Sequence, residues 1–172
     1  KVIADHRSAG GCIIAIAAIT AVPPSETSTT NLGGIRSESI PPIGRAITAI
    51  RERKGAPLRV AVIGLGSGTL VCASEPGEEW KFFEIDQTMV DTARDPKYFT
   101  YIQVCEPNLE PVIGDARLTF AREPDGVYDL IIVDAYSSDA IPIHLATEEA
   151  MEIYKSKLAP QGAVVMHVSN RH

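Results

Sequence analysis

Residues 60–69 read V-A-V-I-G-L-G-S-G-T, and the fold follows from how that stretch is interpreted. Residues 58–63 are almost wholly apolar, as a parallel strand covered by helices on both faces should be. The strand then runs into a loop carrying Gly64, Gly66 and Gly68. Glycine in such a loop permits positive φ and lets a ligand approach the main chain. A second strand, W-K-F-F-E-I at 80–85, ends in an acidic pair, Glu84 and Asp86. An acidic group about 20 residues beyond the glycine turn suits the two hydroxyls of a ribose. This is the layout of a nucleoside-binding α/β domain. The competing reading is a tight strand-to-helix turn that binds nothing.

The glycine spacing narrows the nucleoside. A dinucleotide fold uses G-x-G-x-x-G, which would put its third glycine where Thr69 stands. The spacing here is G-x-G-x-G, usual in enzymes that use S-adenosylmethionine.

Working outward, the 172 residues suffice for one domain with a real core. Sixteen Lys and Arg against 22 Asp and Glu leave a mildly acidic chain, which argues against nucleic acid as a partner, since phosphate binding needs a basic surface. Cys12, Cys72 and Cys105 are odd in number and widely spaced, with no C-x-x-C and no Cys/His cluster. No metal is expected, and reduced thiols in a cytoplasmic protein are the simplest reading. The apolar run at 12–22 is too short to span a bilayer. It could pass for a signal-peptide core, but its β-branched content favours a buried strand, and no membrane contact is expected of this chain.

Residues 23–42 are rich in Pro, Ser, Thr and Gly and read as a linker. They separate an N-terminal segment, 1–41, from a main domain, 42–172. A helix over 42–54 follows, with Ile43, Ile47 and Ile50 as its apolar stripe. Its C-terminal Arg51, Arg53 and Lys54 suit the dipole and are expected to be solvated. After the glycine loop there is room only for a very short helix. Asp86 then caps a helix whose inner face is Met89, Val90 and Ala93. Residues 98–105 read as a strand or an irregular segment, and 111–114 as a short strand. Asp115 precedes a helix over 116–122.

V-Y-D-L-I-I-V-D at 127–134 is a second buried strand ending in a carboxylate, and the loop 135–142 carries Asp139. Thr147 caps a helix with Met151, Tyr154 and Leu158 facing inward, Pro160-Gln161-Gly162 turns, and 163–168 is a last strand. The alternation predicts a doubly wound, mostly parallel α/β sheet of the Rossmann type, whose ligands sit at the carboxyl ends of the strands. Glu84, Asp115, Asp134 and Asp139 fall at such ends. A carboxylate at the tip of an apolar strand is costly unless paired or solvated in a cleft. Asp115 could serve only as a helix cap, and Asp139 alone would be an ordinary loop acid. His144 reads as structural, near a helix start.

Taken in order, G-L-G-S-G-T, F-E-I-D, G-D-A, Y-D-L-I-I-V-D and S-S-D-A-I-P-I-H-L resemble the spermidine synthase-like group of Rossmann-type transferases, and most closely bacterial members, some of them joined to membrane spans. The likeness covers about 43–170. It implies that Gly64, Gly66, Ser67 and Gly68 lie against the methionine-derived portion and ribose of S-adenosylmethionine or its decarboxylated form. It implies that Glu84 holds the ribose hydroxyls and that Asp115 with Ala116 meets the adenine edge. Asp134 would take a proton from the attacking amine, and Asp139 would help hold that cationic amine, putrescine or a similar small molecule.

Three departures stand beside the likeness. Typical spermidine synthases carry Asp in the glycine loop, where this chain has Ser67. Residues 25–42 contain no Tyr or Gln to line an amine pocket. Related sheets continue past the fifth strand. Either the chain is a truncated member, or a partner, as in a homodimer, completes its sheet. Three readings remain: an aminopropyltransferase-like enzyme, a methyltransferase on the same fold, and a non-catalytic nucleoside-binding domain.

Overall fold

A computed structural model of the chain describes residues 2–3, 13–19, 42–135 and 142–169. The expected parallel sheet is present, with seven strands among the described residues. β1 (Val2–Ile3) and β2 (Ile13–Ile19) precede α1 (Pro42–Lys54) and β3 (Arg59–Ile63). A 3-10 turn (Thr69–Ala73) leads to β4 (Glu79–Glu84), α2 (Gln87–Arg94), α3 (Tyr101–Cys105) and β5 (Val112–Ile113). α4 (Ala116–Phe120), β6 (Tyr128–Val133), a 3-10 turn (Ile143–Leu145), α5 (Glu148–Lys157) and β7 (Leu158–Ser169) complete it. The order across the sheet is β1-β2-β7-β6-β3-β4-β5, all parallel except the β1–β2 pair. Beyond β7 the sheet is continued by the N-terminal segment itself, with Ile13 opposite Ala163 and Ile19 opposite Ser169.

The apolar stretches form strands because both faces are covered. On one face Ile43, Ile47 and Ile50 of α1 pack on Val60, Val62, Ile132 and Val165. On the other, Phe120 and Tyr154 pack on Ala61, Ile63, Ile131 and Val133. Every residue of β6 is buried, as expected of a central parallel strand. The caps fall as predicted. Asp86 accepts from the Thr88 amide and Thr147 from the Ala150 amide, each satisfying a donor that the first helical turn leaves open.

Five local expectations are corrected. The 98–105 stretch contains a helix, α3, because a five-residue element is too short for periodicity to separate helix from strand. Ile102 of α3 is buried against Gly68, where a Cβ would meet its Cγ1 at 2.9 Å. Cys72 and Cys105 are joined in a disulfide, their Cα atoms 5.1 Å apart. This replaces the reading of reduced thiols and withdraws the cysteine argument for a cytoplasmic setting; Cys12 lies outside the described residues. Arg51 is not solvated, since its guanidinium grips Glu78 at 2.7 Å and Glu75 at 3.0 Å. Met89 is exposed, and of the three only Val90 and Ala93 are buried in the core. Pro160-Gln161-Gly162 lies within β7 as an irregularity, with Gln161 at φ 65° and a register shift opposite Tyr128 to Leu130.

Candidate functional site

The carboxyl ends of β3, β4 and β6 lie side by side, and a cavity of about 540 Å³ opens there. Gly64, Gly66, Glu84 and Asp134 line it. The rest is mainly apolar: Ile85 and Met89 from the β4 end and start of α2, Ala116 from α4, and Leu145 beyond the loop after β6. A mainly apolar cleft with a few convergent polar groups is the usual form of a small-molecule site.

Each polar group is held by the sheet. The Gly64 amide donates to Phe83 O and the Asp134 amide to Ile63 O, both at 2.8 Å, so the three strand tips are tied beyond their last regular residues. Gly64 has φ 100°, and a Cβ there would sit 2.5 Å from Asp134 O. Only glycine lets the β3 and β6 tips come this close. Gly66, at φ 54°, has nothing within 4 Å of where a Cβ would stand. It leaves the main chain bare toward the cavity.

Glu84 is buried, and its carboxylate is well satisfied. Oε2 accepts from the Leu65 amide at 2.9 Å, and Oε1 from the amides of Ile85 and Asp86 at 2.8 and 3.1 Å. A carboxylate offers about four acceptor positions, so capacity remains for a hydroxyl in the cavity. One side chain thus binds the glycine loop to the end of β4 and faces the cavity.

Gly64, Gly66, Glu84, Ala116 and Asp134 all line the cavity. Ser67 and Gly68 sit further along the loop, where the Ser67 hydroxyl lies 2.6 Å from that of Thr69. Asp115 stands behind Ala116, accepting the Arg117 amide at 2.8 Å as the cap of α4. Asp139 lies outside the described residues. Two histidines join the region without a local sequence signal. His144 lines the cavity with its Nε2 3.8 Å from Asp115 Oδ1. His167 places Nδ1 2.5 Å from Asp134 Oδ1. The signal that could have found His167 is register: Val133 lies opposite Met166, which sets the next residues of the two parallel strands level.

Among the described residues no three His, Cys, Asp or Glu group to hold a metal ion, and no helix is long and apolar enough to cross a membrane.

No protein-family model matches the chain. A polyamine aminopropyltransferase of Vibrio vulnificus is 33% identical over 114 residues, which is 63% of this chain and 37% of that protein. Spermidine synthase 2 of Arabidopsis thaliana is 30% identical over 113 residues, 63% of this chain and 33% of that protein. A solved spermidine synthase in complex with the transition state analogue AdoDATO superposes with a TM-score of 0.53 at 23% identity, over 68% of this chain and 41% of that one. The chain spans about a third of the length of the curated relatives it matches. It thus resembles the spermidine synthase-like transferases in sequence over that stretch, and shares their Rossmann-like fold.

Proposed function

We propose that the cavity binds an adenosyl sulfonium nucleoside, S-adenosylmethionine or its decarboxylated form, and that the chain belongs to an enzyme passing the aminopropyl group to a small amine such as putrescine. The observation that carries this reading is the meeting of Gly64, Gly66, Glu84 and Asp134 around one cavity of about 540 Å³. The sequence relatives, named as aminopropyltransferases and spermidine synthases, support the choice of chemistry.

The residues suit the ligand. Ile85, Met89 and Ala116 offer an apolar slot for a purine, and Glu84 retains an acceptor for ribose hydroxyls. The glycine loop exposes its backbone to the sulfonium side. In the reaction the neutral amine attacks the carbon beside the sulfonium. A C–N bond forms as the C–S bond breaks, and the sulfur leaves as a neutral thioether. The amine must shed a proton, and Asp134 is the carboxylate that accepts it. Holding nucleophile and carbon in line supplies much of the remaining rate. Asp139 is the second carboxylate of this reading, holding the cationic end of the amine.

A second reading, methyl transfer from S-adenosylmethionine, is favoured by Ser67. Its hydroxyl is engaged with Thr69, and this position carries no carboxylate to attract the free ammonium of a decarboxylated donor. Calorimetric titration with S-adenosylmethionine, its decarboxylated form and methylthioadenosine separates the readings when paired with a transfer assay on putrescine. Binding of all three nucleosides with aminopropyl transfer supports the first reading. Binding without transfer of either group leaves a nucleoside-binding domain, and no binding removes the site.

A further inference from the structure

The contact between His167 and Asp134 is a product of the sheet. β6 and β7 run parallel with Val133 opposite Met166, so Asp134 and His167 come level one residue further on. Residues opposite each other in register point to the same face. Ile132 and Val165 already share the face covered by α1, and the two-residue alternation carries Asp134 and His167 to that side. The result is Nδ1 at 2.5 Å from Oδ1, with the side chains 23% and 28% exposed. An ionised carboxylate only accepts hydrogen bonds, so the hydrogen between them resides on Nδ1.

Asp134 lines the cavity, whereas His167 does not. The imidazole therefore reaches the cavity through the carboxylate it contacts. We propose that His167 is a positioning residue for Asp134. It donates Nδ1–H to Oδ1, stops rotation of the carboxylate about its soft terminal torsion, and leaves Oδ2 as the oxygen presented to the ligand. This rests on the proposed role of Asp134 as proton acceptor. A base must come within hydrogen-bond reach of the proton it takes, and a carboxylate locked in one orientation meets that requirement at every encounter.

Among the described residues, the other ionisable groups facing the cavity are Glu84 from β4 and His144 beyond β6, the latter beside Asp115. Nitrogen-15 NMR of the histidines in the full chain tests the pairing without any activity, with the His167 signals assigned through the His167→Asn variant. Wild-type His167 should carry hydrogen on Nδ1 at pH 8, and Asp134→Ala should move that hydrogen to Nε2. A wild-type His167 protonated on Nε2 alone overturns the proposal. Kinetics then tests the consequence. His167→Leu, which has no donor, should lower kcat roughly 10- to 100-fold, the scale of a misplaced catalytic group, with nucleoside affinity unchanged. His167→Asn, whose amide nitrogen lies near the place of Nδ1, should restore most of the rate. A folded His167→Leu protein with wild-type kcat refutes the positioning role. If the wild-type chain transfers nothing, the transferase reading falls, while the nitrogen spectrum still decides whether His167 holds Asp134.

Discussion

The Glu84 carboxylate accepts from the main-chain amides of Leu65, Ile85 and Asp86, and that engagement decides what its substitutions do. Glu84→Gln keeps the shape but replaces one acceptor oxygen by a donor, so the amides on one side lose their partner. Glu84→Ala removes both sides. Nucleoside affinity should fall by about 1–3 kcal/mol for a lost acceptor, and more in the alanine variant, because the loop itself loosens. Hydrogen exchange at the Leu65 amide should quicken in Glu84→Ala, and unchanged exchange would count against the tie. Asp134→Asn retains an acceptor for His167 but cannot take a proton. Turnover should drop about 10²–10⁴-fold while the nucleoside still binds, as a transfer assay beside calorimetry would show. The place of Glu84 could be read from an acid at a strand tip after a glycine turn. Its grip on three amides could not, because main-chain directions in a loop have no residue code. His167 was invisible for another reason: a sequence separation of 33 from Asp134 conceals a contact that exists only through strand register.

The loop from β3 toward β4 is fixed at both ends, by Gly64 at the β6 tip and by the Cys72–Cys105 disulfide to α3. Gly64→Ala would set a Cβ against Asp134 O in a backbone conformation that alanine disfavours. The strand tips would have to part, with a loss of roughly 1–3 kcal/mol for the conformation alone, read as a lower denaturation midpoint. The disulfide closes a sequence separation of 33 residues. On chain-entropy grounds such a link contributes about 3–4 kcal/mol, so a dithiol reductant should lower the denaturation midpoint by a corresponding amount. An equal midpoint with and without reductant would contradict this. Long elements such as α1 were legible because an Ile stripe repeats at helical spacing. α3 was not, since its register depends on Ile102 fitting against Gly68, a contact 34 residues apart in the chain.

Across the molecule, the parallel sheet and its buried centre were legible in the runs of β-branched residues, and so was a strand within the apolar run near the N-terminus. Its neighbour was not, because nothing local in β2 says that it pairs with β7. Away from the cavity, Arg51 of α1 draws the chain before β4 onto the helix through Glu75, Glu78 and Ala73 O. Burial would raise the Glu78 carboxyl, but hydrogen bonds from Arg51 and Trp80 prevail and lower it from 4.5 to about 2. Since the folded value lies below the ordinary one, this stabilisation is complete above about pH 4.5 and is lost as pH falls toward 2. Stability measured against pH should decline through that window, and Glu78→Gln should flatten part of the decline. β2 and β7 meet with Ile16 opposite Met166, across about 150 residues of chain. Closing so long a loop costs entropy before any contact repays it. The pairs β3–β4 and β3–β6, which frame the cavity, span far shorter stretches. Refolding should therefore assemble the cleft at the strand tips early and seal the outer edge of β7 late. In the interval an apolar strand edge is bare, and this is the moment at which the chain is most prone to aggregate.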